Sequence, residues 1–262
     1  MPEILEVEEA RRLVEQRALR RRIAVVDAPD AWFLKRGLTQ RGVRAALPGR
    51  SLVSARRRGK LLLLDTDAAG PVLALHLGMS GRVLVDDAAA GDPLVYASNR
   101  EVEAWHRFGI HFADGGRLVV RDPRRLGAVE LDPDEDRLGV DAFALTLAHL
   151  RSVVARSRAP VKAVLMDQAR IAGLGNLLAD EVLWRAGIDP ARPADSLDAA
   201  EQVRVRRAIK NTLHVLGRRG GSHTGDLMPA RIAGGHCPRD GAPLLRRTVA
   251  GRTTYSCPVH QR

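Results

Sequence analysis

The chain has 262 residues, 45% of them hydrophobic, which is ample for one large domain or two ordinary ones with buried cores and excludes a tail or linker. Lys and Arg outnumber Asp and Glu by 42 to 31, and the formal charge of +11 points to a polyanionic partner, nucleic acid ahead of an anionic membrane surface. No apolar run nears a spanning length and the N-terminus is acidic rather than basic, so neither a membrane span nor a secretory signal is expected; with only Cys237 and Cys257 a disulfide framework is excluded, leaving one disulfide or a shared metal, and a cytoplasmic protein is expected.

From Glu6 to about Arg17, Val7, Ala10, Leu13 and Val14 recur at helical spacing, so an amphipathic helix follows directly on the N-terminal residues. After Ile23–Val26, six runs read as strands: Ser51–Arg57, Lys60–Asp65, Val72–Leu77, Gly81–Val85, Ile110–Phe112 and Arg117–Asp122. Tight turns at Gly59, Gly78 and Asp114-Gly115 separate them, which suggests a β-sandwich or barrel. The acidic, Pro-containing stretch Leu131–Arg137 reads as a linker, because the pattern beyond it is helical from Ala142 to about Leu216. Gly220-Gly221 then opens a loop into a small terminal unit, Ile232–Arg262, that holds both cysteines. The expected fold is α+β in three parts: a β-sandwich domain over 1–132, a helical domain over 133–230 and a β-hairpin unit over 231–262.

Pro2 and Glu3 could carry chemistry. Once Met1 is removed, which a small second residue favours, the Pro2 secondary amine has a reference pKa of roughly 8, against about 10.4 for lysine, so part of it is a neutral nucleophile near pH 7. Such an amine can attack a sugar C1′, with Glu3 moving protons beside it. Met-Pro-Glu starts are also common without function, and the remaining chain decides between the two readings.

Met1-Pro2-Glu3-Ile4-Leu5-Glu6-Val7-Glu8, with the helix that follows, resembles the N-terminus of the formamidopyrimidine-DNA glycosylase and endonuclease VIII superfamily. Leu5 stands where the family usually has proline. The resemblance continues in order along almost the whole chain. Arg58-Gly59-Lys60 is similar to the hairpin that carries the family's phosphate-contacting, catalysis-assisting lysine. His76-Leu77-Gly78-Met79-Ser80-Gly81 resembles the loop whose methionine fills the gap left by the extruded nucleotide, an apolar wedge that offsets part of the unstacking cost. Asp122-Pro123-Arg124-Arg125-Leu126-Gly127 resembles a second intercalating loop, in which an arginine faces the widowed base and an aromatic residue wedges the stack. Leu126 replaces that aromatic here, so the opposite-base selection implied for Arg124 can differ. Taken singly, a turn lysine, a core methionine and an exposed Arg-Arg turn are each ordinary structure.

Leu165 to Asn176, continuing through Ala179-Asp180-Glu181 to Ala186-Gly187-Ile188 and Pro190, resembles the family's helix–two-turn–helix and is the most specific signal. Gly173 and Gly175 would admit close backbone approach, and Asn176 and its neighbouring amides at a helix start could hold phosphate. Cys237-Pro238-Arg239-Asp240 and Cys257-Pro258-Val259-His260 resemble the family's zinc hairpin, with Asp240 and His260 in place of two cysteines. Both replacements are competent zinc ligands, so the expected set is Cys237, Asp240, Cys257 and His260 around one structural Zn2+, with His236 able to displace Asp240 and a metal-free hairpin as the alternative.

The resemblance implies a monomeric base-excision-repair enzyme acting on double-stranded DNA with damaged bases or abasic sites, in the cytoplasm on the nucleoid, with a basic cleft between its domains. Its catalytic residues would be Pro2, Glu3 and Lys60, and its DNA contacts His76, Met79, Arg124, Arg125, Leu126, Lys162, Asn176 and Arg252. Family members that prefer oxidised guanine carry a longer loop over the extruded base; Ser222–Arg231 is short, which favours oxidised pyrimidines, formamidopyrimidines or bulkier lesions over 8-oxoguanine. A non-catalytic damage-binding protein on the same scaffold is the alternative, and a zinc-finger regulator would leave Pro2, Glu3 and Lys60 unexplained.

Overall fold

The structure, a computed structural model, describes residues 2–91, 98–100 and 102–262. Met1, whose removal the catalytic expectation requires, lies outside the described residues. The chain divides into two compact units, Met1–Glu135 and Asp136–Arg262. Among the described residues, no helix is long and apolar enough to cross a membrane.

The first unit opens on α1 (Ile4–Arg17). The helix begins two residues before the apolar periodicity does, because Glu3 caps it and donates its backbone N–H to Glu6 Oε2 at 2.7 Å in a capping box. Such caps contribute about 1 kcal/mol. β1 (Ile23–Asp27) and α2 (Gln40–Ala46) lead into β2 (Leu52–Arg58), β3 (Leu61–Thr66), β4 (Leu73–His76), β5 (Arg82–Val85) and β6 (Ala88–Ala89). β7 (His106–Phe112), β8 (Arg117–Arg121) and β9 (Ala128–Leu131) complete the unit's strands. They form a five-stranded sheet in the order β1-β7-β8-β5-β6 and a four-stranded sheet in the order β2-β3-β4-β9, antiparallel throughout. Leu62, Leu64, Leu73, Leu75 and Val129 from one sheet share a single core with Val83, Phe108, Ile110, Leu118 and Val120 from the other, which makes the pair a sandwich, and Val7, Ala10 and Val14 of α1 join it.

The second unit carries α3 (Leu147–Val154), α4 (Val161–Met166), α5 (Asn176–Ala186) and α6 (Ala199–Arg219). A short strand, β10 (Val140–Asp141), precedes the helices and pairs in parallel with β11 (Ile171–Ala172), which interrupts them between α4 and α5. A hairpin of β12 (Leu245–Val249) and β13 (Arg252–Ser256) follows, closed by Ala250 and Gly251 with φ of +49° and +73°. Two positive φ angles in a two-residue loop match the right-handed twist of the strands, and only Gly251 accepts them without a Cβ penalty.

Candidate active site and metal centre

Pro2 is buried and Glu3 has no exposed surface, so the start of α1 is packed rather than frayed. Arg11 reaches the carbonyl of Ala55 while Glu8 takes the Arg57 guanidinium at 3.1 Å, so moving toward the N-terminus of α1 follows β2 toward its end. The next feature in that direction is the Gly59-Lys60 turn, where Gly59 has φ +58°. Burial raises the Glu8 carboxyl, but hydrogen bonds and charge from Arg11 and Arg57 outweigh it and hold the pKa below the usual range. The first helical turns are thus bolted to β2 by an ionised carboxylate.

His76, the last residue of β4, is paired with Leu61 beside Lys60 on one side and with Ala128 on the other. Burial pushes its imidazole below the ordinary value and the Lys60 ammonium adds to the shift, with Asp122 opposing. The ring is therefore neutral near pH 7; Gly78 N–H donates to Nδ1 at 3.1 Å, which leaves the proton on Nε2 as a donor. Two loops leave this junction. Gly78 has φ +57°, and a Cβ there would overlap the backbone of Leu126 and Gly127, so the 76–81 loop lies directly against the 122–127 loop.

The residue that organises both loops escaped the sequence reading of the site. Asp122 has no exposed surface, and its carboxylate accepts the Ser80 hydroxyl, Arg124 N–H at 3.1 Å, and Leu126 and Gly127 N–H at 2.8 Å each. Met79 is half-buried, while Arg124 and Leu126 are exposed. Arg125, at φ +56°, holds Asp30 bidentately at 2.7 Å, and Asp30 in turn caps the short helix that begins at Ala31. Arg125 therefore buttresses the loop through Asp30.

In the second unit, the phosphate contact expected of Lys162 does not hold. Its ammonium has no solvent exposure, sits 2.6 Å from Asp180 Oδ1 and donates to Thr254 Oγ1 at 2.7 Å and to the Thr253 carbonyl. A basic chain makes any lysine look like a DNA contact, but this one neutralises a buried carboxylate. Asn176, the first residue of α5, donates Nδ2 to the same Thr253 carbonyl at 3.1 Å. Asp180 also accepts Tyr255 N–H and pairs with Arg231. Three consecutive residues of β13, Thr253 to Tyr255, are thereby tied to α4 and α5, with exposed Arg252 immediately before them at the hairpin turn.

Cys237, Asp240, Cys257 and His260 place their donor atoms within 4.8 Å of one another, and neither thiol is in a disulfide. His236, the alternative ligand, is exposed in a bridge with Pro243 and is not among them. Bonds of about 2.0–2.3 Å to a tetrahedral ion separate its donors by roughly 3.3–3.8 Å. Cys257 Sγ lies 3.3 Å from Asp240 Oδ2 and Cys237 Sγ lies 3.7 Å from His260 Nδ1, both within that range. His260 Nδ1 and Asp240 Oδ2 are closer, at 2.7 Å, the distance of a direct hydrogen bond. The surroundings also fit an ion: His260 Nε2 lies 3.3 Å from the Trp184 carbonyl, which presents Nδ1 inward, and Trp184 Nε1 and Arg239 N–H donate to Cys237 Sγ. The four residues are therefore a group that could hold a metal ion, with a donor set that suits zinc.

The segment from 222 to 231 is pinned. Glu181 of α5, nearly buried, accepts Asp226 N–H at 3.0 Å and Leu227 N–H at 2.9 Å, while Leu227 packs with Trp184, Cys237 and Cys257. Arg185 and Arg219 both pair with Asp226.

Comparison with known proteins agrees with this geometry. The family model of the formamidopyrimidine-DNA glycosylase N-terminal domain matches residues 1–129, and that of the formamidopyrimidine-DNA glycosylase H2TH domain matches residues 136–226. A formamidopyrimidine-DNA glycosylase of Paracoccus denitrificans is 34% identical with all of both chains covered, and one of Streptococcus pneumoniae is 32% identical over all of this chain and 99% of its own. Among solved structures, Lactococcus lactis Fpg with DNA containing an abasic site superposes with a TM-score of 0.84 at 26% identity, covering 100% of each chain. The same enzyme with DNA containing an oxidised pyrimidine gives 0.83 at 26% identity and the same coverage.

Proposed function

This chain belongs to the formamidopyrimidine-DNA glycosylase family, and on that premise we propose that it is a bifunctional DNA glycosylase and abasic-site lyase in which Pro2, Glu3 and Lys60 carry the chemistry. The observation that carries the assignment is a fully buried carboxylate, Glu3, next in the chain to a buried Pro2. With Met1 removed, the Pro2 lone pair attacks C1′ of the damaged nucleotide, the bond from C1′ to the base breaks, and the base leaves with a proton. Opening of the sugar ring gives an iminium between Pro2 and C1′. Loss of a C2′ proton then expels the 3′ phosphate, a second elimination expels the 5′ phosphate, and water releases Pro2. Glu3 is the group placed to move these protons, and Lys60 supplies positive charge to the phosphate and to the developing anion.

Around this centre, His76 donates through Nε2 to the backbone, Met79 and Leu126 fill the gap in the stack, and Arg124 faces the widowed base, with Arg125 holding the loop. In the second unit, Asn176 and Arg252 hold phosphate, and the Cys237, Asp240, Cys257 and His260 set holds Zn2+ that stiffens the hairpin. The partner is duplex DNA with a damaged base or abasic site, bound by a cytoplasmic monomer. The short, pinned 222–231 segment favours ring-opened purines and oxidised pyrimidines over 8-oxoguanine. In functional terms we assign 1–132 as the catalytic part and, within the second compact unit, 133–230 as the helix–two-turn–helix part and 231–262 as the hairpin part.

Borohydride trapping on duplexes bearing an abasic site, a ring-opened purine, 8-oxoguanine or an oxidised pyrimidine tests the proposal. A covalent adduct that disappears in Pro2→Gly, with base excision lost in Glu3→Gln, is expected. No adduct on any lesion, despite tight salt-sensitive binding, would establish the non-catalytic alternative.

A further inference from the structure

We propose that Asp122 is a specificity-determining positioning residue, whose buried carboxylate locks the Met79 loop and the Arg124–Leu126 loop into one wedge and so sets how sharply the base opposite the damage is discriminated. The inference rests on the reading of those two loops as the elements that fill the gap.

Four donors converge on this carboxylate: the Ser80 hydroxyl and Arg124 N–H on Oδ1, and Leu126 N–H and Gly127 N–H on Oδ2. That uses the full accepting capacity of a carboxylate, through charge-assisted bonds roughly twice as strong as neutral ones. Three of the donors belong to the loop that follows Asp122. The fourth, Ser80, belongs to the other loop and also accepts from Arg124 N–H at 3.3 Å, so hydroxyl, carboxylate and amide close a small ring across the two loops. The Asp122 backbone is fixed as well, with its N–H on the Trp105 carbonyl and its carbonyl on Arg107 Nε. The Arg124 N–H is therefore held by two acceptors, one from each loop, before its side chain meets any base, while the Gly78 contact with Leu126 and Gly127 keeps the Met79 loop in register. A side chain that reads a base from a fixed backbone discriminates by geometry. One on a loose backbone readjusts to whatever base it meets.

The experiment measures single-turnover excision of a formamidopyrimidine placed opposite each of the four bases, together with strand cleavage at a preformed abasic site. Met79→Ala and Arg124→Ala report whether the loops fill the gap; Ser80→Ala and Asp122→Asn report the lock. We expect Ser80→Ala to narrow the ratio between best and worst pairing by roughly 5- to 10-fold, Asp122→Asn to narrow it further, and the double variant to be no worse than Asp122→Asn alone. Abasic-site cleavage by Ser80→Ala should change much less than its pairing ratio. A purely structural role for Asp122 predicts the opposite pattern, with all pairings falling together and the ratio intact, and that result overturns the proposal. Ser80→Ala removes one hydroxyl, so it decides the matter even if Asp122→Asn fails to fold. If Met79→Ala and Arg124→Ala leave the ratio untouched, the gap-filling reading itself falls; if they change it while Ser80→Ala and Asp122→Asn do not, only the lock does.

Discussion

Lys162 Nζ lies 2.6 Å from Asp180 Oδ1 with both side chains sealed from solvent, and the same ammonium donates to Thr254 of the terminal hairpin. Removing one partner of a buried ion pair strands the other charge and typically costs about 3–5 kcal/mol. Arg231 still faces Asp180, so Lys162→Met should cost about 3 kcal/mol in urea denaturation. The paired change Lys162→Met with Asp180→Leu should cost more still, because it also strands the Arg231 guanidinium and the Tyr255 N–H. A Lys162→Met protein of unaltered stability with a weakened salt dependence of DNA binding would return Lys162 to the phosphate role.

The His76 imidazole titrates below 6.5 in the folded chain because it is buried near Lys60. An unfolded chain takes up that proton near 6.5 while the folded one refuses it until lower pH, so protonation favours unfolding. Wild-type stability should therefore fall as pH drops from 7.5 through 6.5, levelling off once the folded-state value is passed. His76→Gln should flatten that part of the curve, and denaturant midpoints measured from pH 7.5 to 5 compare the two.

Metal content and hairpin function are expected to be separable. Asp240→Ala should lower zinc content by more than about tenfold, measured by elemental analysis of the purified protein, and lower the melting temperature. The chelated protein should nonetheless keep most of the DNA-affinity loss caused by Arg252→Ala, because Lys162, Asn176 and Asp180 hold β13 without the ion. Disappearance of the Arg252 effect on chelation would make the metal the main support of the hairpin.

Glu181→Gln keeps the side-chain shape while removing the charge that receives Asp226 and Leu227 N–H and pairs with Arg185. The loss should be about 1–3 kcal/mol. Amide exchange at Asp226 and Leu227 should accelerate more than exchange in α6. Uniform acceleration across the second unit would mean that Glu181 supports the whole unit and not this segment in particular.

Much of the scaffold was legible because its signals are local. The unbroken run of Leu61 to Leu64 declares a buried strand, the Val7, Ala10 and Val14 spacing declares α1, and the Cys-x-x-Asp and Cys-x-x-His pairs mark the four donors that the hairpin brings together. α2 was missed because Gly42 and two arginines dilute its pattern; its start depends on Thr39 accepting the Gly42 N–H. β9 is four residues long and acquires its extended form by pairing with β4. The carboxylates at 122, 180 and 181 were legible as residues but not as roles, since each is defined by donors across a turn or on another element. Lys162 misled for the same reason: its counter-charge stands 18 residues further along the chain, and nothing near it in sequence foretells burial.

The contact of Gly78 with the backbone of Leu126 and Gly127 also bears on how this scaffold can diversify. Two loops that share one interface should behave as a single unit under substitution, although 47 residues of chain lie between Gly78 and Leu126. A substitution that reshapes either must be answered in the other, so lineages should exchange them together and laboratory grafts of one alone should yield poorly discriminating enzymes. Retuning opposite-base choice on this fold is then a problem of transplanting a matched pair with its aspartate and serine.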